Sequence, residues 1–308
     1  MDDYVFYAPR FKVENVISTL SAEDIIDWGL SSLNIPQCWL TTRGENIKVG
    51  VLDTGVAGNH PDLCESIGKV KDFTNSCYGA SDNIGHGTHV CGIISARENL
   101  TGVIGVAPKT KIYIAKIIGD NQAGSIENVC NALKWCLDCH VDIISMSIGT
   151  SSPNENLQQN IKEAIDKNVF IISAAGNDGN NMLDTINYPA KYENVISVGS
   201  INKKMLRSSF SSVGKRLDIL APGEEIYSTY PPNTYAILKG TSMACPFVTG
   251  VAALIISKHR LTTESSTPCI TQNDLRDHLL KVAIDINTPG WDSTTGFGIV
   301  NPLESVKA

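Results

Sequence analysis

The stretch Val49-Gly-Val-Leu-Asp53-Thr-Gly55 decides how this chain folds. An apolar run that ends in a carboxylate and then a glycine turn is typical of a buried strand with a polar side chain at its carboxyl end. Near-continuous apolar runs of this kind predict a parallel sheet that is covered on both faces. Comparable runs rich in β-branched residues recur at positions 47–52, 112–118, 141–148, 169–173, 195–198 and 217–220.

Helical patterns lie between these runs. Residues 155–167 carry apolar side chains at three- and four-residue spacing, at Leu157, Ile161, Ala164 and Ile165. Strands that alternate with helices predict an α/β fold with a doubly wound, mostly parallel sheet and helices on both faces. In such sheets the chemistry lies at the carboxyl ends of the strands. We expect one domain over residues 21–308, preceded by an extension of residues 1–20, and a surface loop at 261–271.

The composition narrows the class of partner. With 308 residues and 42% hydrophobic content, the chain can bury one large core. A net charge of −7 without blocks of like charge argues against nucleic acid or an anionic membrane surface, and favours a peptide. The longest apolar runs look too short to span a bilayer.

The N-terminus and the cysteines bear on location. The acidic start Met1-Asp2-Asp3 is unlike a signal peptide, and the nine cysteines are an odd number. Both features favour a reducing compartment, so we expect a cytoplasmic protein. A mature fragment of a secreted protein would look the same and stays the alternative.

Two histidines stand out in the segment Asn83-Ile-Gly-His86-Gly-Thr-His89. Their spacing on a helix could suggest metal ligands. No glutamate lies between them, however, as the HExxH motif of zinc peptidases requires. A zinc site is therefore disfavoured for this segment.

A serine stands at the predicted start of a long apolar helix, in Gly240-Thr-Ser242-Met-Ala. The free N–H groups and the positive dipole end of such a helix suit a developing oxyanion. A plain helix-capping role is the alternative for Ser242, as a turn or capping role is for Asp53.

Asp53, His86 and Ser242 occur in this chain order, with Ala174-Ala-Gly-Asn177 between the last two. Together these motifs resemble those of the subtilisin-like serine proteases (subtilases), over residues 24–302, and are closest in style to the intracellular subtilisins. The resemblance implies a serine endopeptidase. In it Ser242 attacks the scissile carbonyl, His86 transfers the proton, and Asp53 holds the imidazole. The amide of Asn177 and the N–H of Ser242 would form the oxyanion hole.

The resemblance also implies how substrate binds. An extended peptide would lie as an added strand between segments 124–126 and 147–149, with Gly124 allowing close approach. Ile126, Val129 and Ile148 would line the pocket for the fourth residue before the cut, with core packing as the alternative. The first-residue pocket is implied at Ser147, Ile148, Gly149, Ala174, Ala175 and Gly176, with Asn187 near its base. Related sequences often carry a smaller residue at that last place, so the preferred substrate residue stays open.

Two cation sites follow from the same resemblance. Calcium is implied at the side chains of Asp24, Asp62 and Asn99 and the carbonyls of Arg97, Thr101 and Val103. Oxygen ligands of mixed type suit a hard cation, although each residue alone is typical of a polar surface. A weaker second cation site is implied at Ala190, Tyr192 and Asp218.

The extension contains Phe6-Tyr-Ala-Pro9-Arg10, which is similar to the short proline-bearing pro-region of intracellular subtilisins. This implies a regulatory role in which Pro9 lies across the active site and resists cleavage, since proline has a fixed φ and no N–H. A disordered tail is the alternative.

The leading functional hypothesis is a calcium-stabilised cytoplasmic endopeptidase of broad specificity, with a possible homodimer. A processing protease dedicated to one peptide precursor is the second hypothesis. A binding module on an inactive protease fold is the third, but the presence of all four catalytic residue types argues against it.

Overall fold

The computed structural model describes residues 5–7, 12–17, 23–179, 184–263 and 270–307. The strands of this part of the chain are β1 (Val5–Tyr7), β2 (Lys12–Ile17), β3 (Lys48–Asp53), β4 (Ile67–Asp72), β5 (Lys111–Lys116), β6 (Ala123–Ser125), β7 (Ile143–Met146), β8 (Phe170–Ala174), β9 (Ile196–Ile201), β10 (Ile219–Pro222), β11 (Ile226–Tyr230) and β12 (Thr234–Lys239). The helices are α1 (Trp28–Ser32), α2 (Ile35–Cys38), α3 (His86–Ser95), α4 (Ile126–Asp138), α5 (Glu155–Asp166), α6 (Thr241–Thr263), α7 (Gln272–Lys281) and α8 (Pro302–Lys307).

Seven strands form the central sheet, in the order β10-β9-β8-β7-β3-β5-β4. Every neighbouring pair in it is parallel. Six of the seven coincide with the apolar runs of the sequence, within a few residues at each end. The seventh, β4, lies at an edge and is mostly exposed, so it has no such run.

Successive residues of a strand face opposite sides of the sheet, and both sides are buried. Phe170 and Ile172 of β8 belong to a hydrophobic cluster with residues of α3 and α6. Ile171, between them, belongs to a second cluster with residues of α4 and α5. Helices therefore cover both faces, and the predicted doubly wound α/β sheet is confirmed.

The helix α6 runs through the core on the α3 side. By length and hydropathy its segment Thr241–Thr262 could cross a bilayer, which the sequence reading did not anticipate. Within the protein, 94% of its most apolar window is buried, as expected of a core helix.

The surface loop predicted at 261–271 was placed to start too early in the chain. Leu261, Thr262 and Thr263 still belong to α6, and the hydroxyl of Thr262 donates to the Lys258 carbonyl in its last turn. Residues 264–269 lie outside the described part, and α7 begins at Gln272.

The described parts of the N-terminal extension are strands. β1 pairs antiparallel with β6, and β2 pairs antiparallel with β12 in a three-stranded sheet of order β11-β12-β2. Pro9, which lies between these two strands in sequence, is outside the described residues.

Candidate active site

Asp53 ends β3, so its side chain lies at the carboxyl edge of a strand in the middle of the sheet. The Nδ1 of His86 donates to Asp53 Oδ1 at 2.7 Å, and the backbone N–H of Thr54 donates to the same oxygen at 2.7 Å. Both side chains are fully buried. A buried carboxylate in this position holds the imidazole in one orientation and one tautomer.

His86 is the first residue of α3, and Asp82 holds that helix start in place. Asp82 accepts hydrogen bonds from the backbone N–H groups of Gly85 and Thr88, both at 2.8 Å. It also accepts from the hydroxyl of Thr54 at 2.9 Å, which joins the helix start to the turn after Asp53. We did not predict this residue. The signal was a carboxylate three residues before Gly85, which flanks the predicted helix and has no side chain to cap it.

Gly85 is required at this turn. Its φ is 97°, and an added Cβ would lie 2.1 Å from the ring of Tyr230. Any other residue would displace either the ring or the first turn of α3, and with it His86.

His89 lies one turn further along α3 and faces another way. Its Nε2 is 3.1 Å from the carbonyl oxygens of both Ile226 and Ala236, on β11 and β12. Burial lowers the pKa of His89 to about 3, so the ring is neutral near pH 7. These contacts show a structural role for His89 and give no support to a shared metal ion.

Ser242 is the second residue of α6 and is fully buried. Its carbonyl accepts a hydrogen bond from the hydroxyl of Ser147, just after β7, at 2.9 Å. Its own Oγ has no hydrogen-bond partner among the described residues. A buried hydroxyl in that condition calls for an explanation, and a nucleophile that meets its partner only with substrate bound is one.

Asn177 follows β8 and is tied to the residue before Ser242. Its Oδ1 accepts from the backbone N–H of Thr241 at 2.9 Å and from the Thr241 hydroxyl at 3.0 Å. The amide orientation is thereby fixed, with Nδ2 beside Gly240. The strands β3, β7 and β8 are neighbours, so their ends bring Asp53, Ser147 and Asn177 to one edge, as the sequence predicted.

For Asn177 as an oxyanion donor, the role that the resemblance implies, Asn177→Ala is expected to lower kcat by about 10²- to 10³-fold with little change in KM, because such a donor acts mainly in the transition state. Steady-state kinetics on a chromogenic peptide would measure this. Asn131→Ala, an exposed asparagine of α4, is the matched control. A raised KM at unchanged kcat would argue instead for a role in substrate binding.

Gly124, in one of the segments predicted to hold substrate, lies against the backbone that follows β5. A Cβ on Gly124 would lie 2.4 Å from the Ile117 carbonyl oxygen. Val129 and Ile148 are buried in one hydrophobic cluster, with Ile126 packed against it. The fully buried Phe6 of β1 belongs to that cluster too.

Asn187 lies against the walls predicted for the first-residue pocket. A Cβ on Gly149 would lie 3.1 Å from Asn187 Cβ, and a Cβ on Gly176 would lie 2.6 Å from Asn187 Nδ2. The N–H of Asn187 donates to the Ala175 carbonyl at 2.9 Å. The structure thus brings these residues together.

The residues predicted for calcium also meet. The N–H of Asn99 donates to Asp24 Oδ1 at 3.3 Å, and the Asn99 amide donates to Asp62 Oδ1 at 3.0 Å. The N–H of Arg97 donates to the Asp62 carbonyl at 2.8 Å, and that of Val103 to Asp62 Oδ2 at 2.9 Å. Thr101 is tied to Asn99 by two hydrogen bonds at 2.9 Å.

A buried Asp–His pair and a serine at a helix start, on the carboxyl edge of a parallel α/β sheet, form a site of the kind that serine hydrolases use. Residues 44–298 match the model of the Subtilase family. The chain therefore belongs to the subtilase family, and its activity is that of a serine endopeptidase acting on peptides or proteins.

Several subtilisins are similar to this chain over most of their length. Subtilisin DY of Bacillus licheniformis is 39% identical over 260 residues, which are 84% of this chain and 90% of that protein. Subtilisin Savinase of Lederbergia lenta is 38% identical over 90% of this chain and 97% of its own. The thermostable alkaline protease of Halalkalibacterium halodurans is 36% identical over 95% of this chain and 77% of its own. The predicted family is confirmed, while the intracellular style stays a prediction.

Proposed function

We propose that Ser242, His86 and Asp53 hydrolyse peptide bonds through an acyl-enzyme. Ser242 Oγ adds to the scissile carbonyl while His86 Nε2 takes its proton. His86 then gives that proton to the leaving amine, and a water molecule repeats the sequence to release the acid. The observation that supports this best is the fully buried Asp53–His86 hydrogen bond of 2.7 Å at the carboxyl end of β3.

The developing negative charge on the carbonyl oxygen needs donors that are already oriented. The N–H of Ser242 at the start of α6 and the Nδ2 of Asn177 are the two that we assign. The Thr241 contacts keep the Asn177 amide from turning its oxygen toward the substrate.

Covalent labelling tests this proposal directly. A fluorophosphonate probe should modify Ser242 and no other serine, and peptide mapping by mass spectrometry would identify the site. A protein that stays unlabelled with intact fold, also after deletion of residues 1–20, would support the binding-module hypothesis instead.

We propose further that the N-terminal strand β1 inhibits the enzyme by lying in its substrate groove. β1 pairs with β6 in antiparallel register, with Phe6 opposite Gly124, which is the pairing we expect for substrate. The side chain of Phe6 shares the cluster of Ile148 and Val129, the pocket assigned to the fourth residue before the cut. Counting from Phe6 as that residue assigns Pro9 to the position just before the cut.

The burial of the catalytic side chains supports the same proposal. Neither His86 nor Ser242 has any exposed surface, although a peptidase must bring both into contact with its substrate. A substrate therefore has to displace part of the chain before it can reach these two side chains.

Phe6→Ala is expected to raise kcat/KM toward a short peptide by about 10- to 100-fold. The substitution removes roughly 1.5 to 3 kcal/mol of burial free energy that holds β1 in the groove. Deleting residues 1–20 should raise kcat/KM at least as far. Kinetics on freshly purified protein, with the intact N-terminus verified by mass spectrometry, would measure the change.

Val16→Ala is the matched control, because Val16 lies in β2 of the same extension and is half exposed. It should leave the rate unchanged. An unchanged or lower rate in both Phe6→Ala and the deletion would disprove the inhibitory role of β1.

We propose calcium as a structural ion at Asp24, Asp62 and Asn99, with the carbonyls of Arg97, Thr101 and Val103. All six assigned ligands are oxygen atoms, and the two carboxylates, one of them fully buried, are brought to one place by N–H groups of Asn99 that donate to both. A hard cation among such oxygens would relieve the repulsion between the two charges and tie the loop to the segment before α1.

Calcium removal is expected to lower the Tm. Relative to calcium at 100 times its Kd, the apo protein should lose about 2.7 kcal/mol of unfolding free energy. Thermal unfolding with calcium and with a chelator would measure this. Asp62→Asn should abolish the difference, while Asp138→Asn, on the exposed end of α4, should preserve it. A Tm that is the same with calcium and with the chelator would contradict the proposed calcium site.

We propose broad-specificity proteolysis in the cytoplasm as the role of this site. The glycines at 149 and 176 leave the pocket walls small, which supports broad specificity. The odd number of cysteines supports the proposed location. Cleavage of a random peptide library separates this role from dedicated processing. A broad product spectrum is expected, with any preference at the first residue reporting on Asn187.

A further inference from the structure

The second predicted cation site contains a feature that the sequence did not reveal. Asp218, just before β10, has a side chain that is only 5% exposed. Its Oδ1 accepts from Arg276 Nη2 at 2.5 Å and from Arg276 Nε at 3.1 Å. Its Oδ2 accepts from the N–H of Ser197 at 3.0 Å. Both carboxylate oxygens therefore accept hydrogen bonds, and the donor to one of them is a positively charged side chain of the protein.

The surroundings of Asp218 are unfavourable for a metal ion. A cavity of about 100 Å³ beside it is lined by both Arg216 and Arg276, with Glu193 as a second carboxylate. A metal ion on Asp218 would have to approach two guanidinium groups and displace a charge-assisted hydrogen bond. The donor set at this place does not fit a cation as long as Arg276 keeps its position.

Arg276 is held in that position by the docking of α7. The helix begins with a capping box between Thr271 and Asp274. Gln272, one turn before Arg276 on the same face, is buried, and its amide donates to the carbonyls of Ile171 at 2.9 Å and Asn194 at 2.7 Å. Gln272 thus fixes α7 against β8 and the segment before β9, and Arg276 reaches Asp218 just before β10 from this docked helix.

We infer that Arg276 takes the place of the second cation, so that the chain supplies a permanent positive charge where the resemblance implies a metal ion. The guanidinium links α7 to the sheet through Asp218, which is the linking role that an ion would have there. The stability of this region is then independent of the alkali ions in the medium. This inference concerns stability and does not depend on the catalytic proposal.

Thermal unfolding at saturating calcium and constant ionic strength tests the inference. The unaltered protein should have the same Tm in potassium, sodium and choline chloride. Arg276→Gln should lower the Tm on the order of 5 °C in choline chloride, because Asp218 is left buried without its partner. Potassium or sodium should restore part of that loss, since the vacated place becomes available to an ion.

Two controls sharpen the test. Lys281→Gln removes a positive charge from the same helix away from Asp218 and should change neither the Tm nor its ion dependence. Arg276→Lys keeps the charge and should remain insensitive to the ion. A Tm of the unaltered protein that rises with one alkali ion would overturn the inference. So would an Arg276→Gln variant that loses no stability, or one whose loss no ion restores.

Discussion

Ser242→Ala is expected to lower kcat by about 10⁶-fold, the scale observed when the nucleophile of a subtilisin is removed. The alanine lacks the Oγ that we propose to form the acyl-enzyme, while the two proposed oxyanion donors, at Asn177 and the α6 start, remain. Catalysis of about 10³- to 10⁴-fold over water should therefore persist. Active-site titration and steady-state kinetics on one peptide substrate would measure both quantities.

Controls for Ser242→Ala must exclude loss of the fold and contamination. The Tm should be unchanged within a few degrees, since one hydroxyl is removed and no cavity of note is made. Ser209→Ala, at an exposed serine, should keep full activity and full fluorophosphonate labelling. If Ser242→Ala still reacts with the probe, the nucleophile is another residue.

Asp53→Asn is expected to lower kcat by about 10⁴-fold, close to the loss that follows the same change in a related triad. The Asp53 carboxylate accepts from His86 Nδ1 at 2.7 Å. An amide at the same place can turn its NH₂ toward Nδ1 and stabilise the wrong tautomer, in which Nε2 carries a proton and cannot accept one from Ser242. The rate of fluorophosphonate labelling should fall in parallel with kcat.

Asp82→Asn is the informative comparison, because Asp82 is also a buried carboxylate beside α3 but touches no ring nitrogen of His86 in the contacts described. It should lower the Tm and reduce activity much less than Asp53→Asn. Equal losses in the two variants would mean that Asp53 acts only by supporting the local structure.

Part of the fold was open to sequence reasoning because its signals are local. The β-branched runs predict six of the seven strands of the central sheet, since a strand buried on both faces must be apolar throughout. The edge strand β4 was not predicted, because Lys69 and Lys71 are exposed there and interrupt any apolar run. The loop was predicted to begin at Leu261 because turn-forming residues follow it directly, but α6 continues to Thr263.

The amino-acid sequence by itself determined most of the sheet and the family, and it named the residues that we propose as catalytic. Asp53, His86, Asn177 and Ser242 lie in short motifs whose residue types are specific, so each could be named without a structure. Tertiary structure alone decided which groups hold the active-site turn and the helix α7 in place. Asp82 meets Thr54 across 28 positions of sequence, and Arg276 meets Asp218 across 58. A hydrogen bond between distant residues leaves no local pattern, because it depends on how strands and helices pack rather than on their own periodicity.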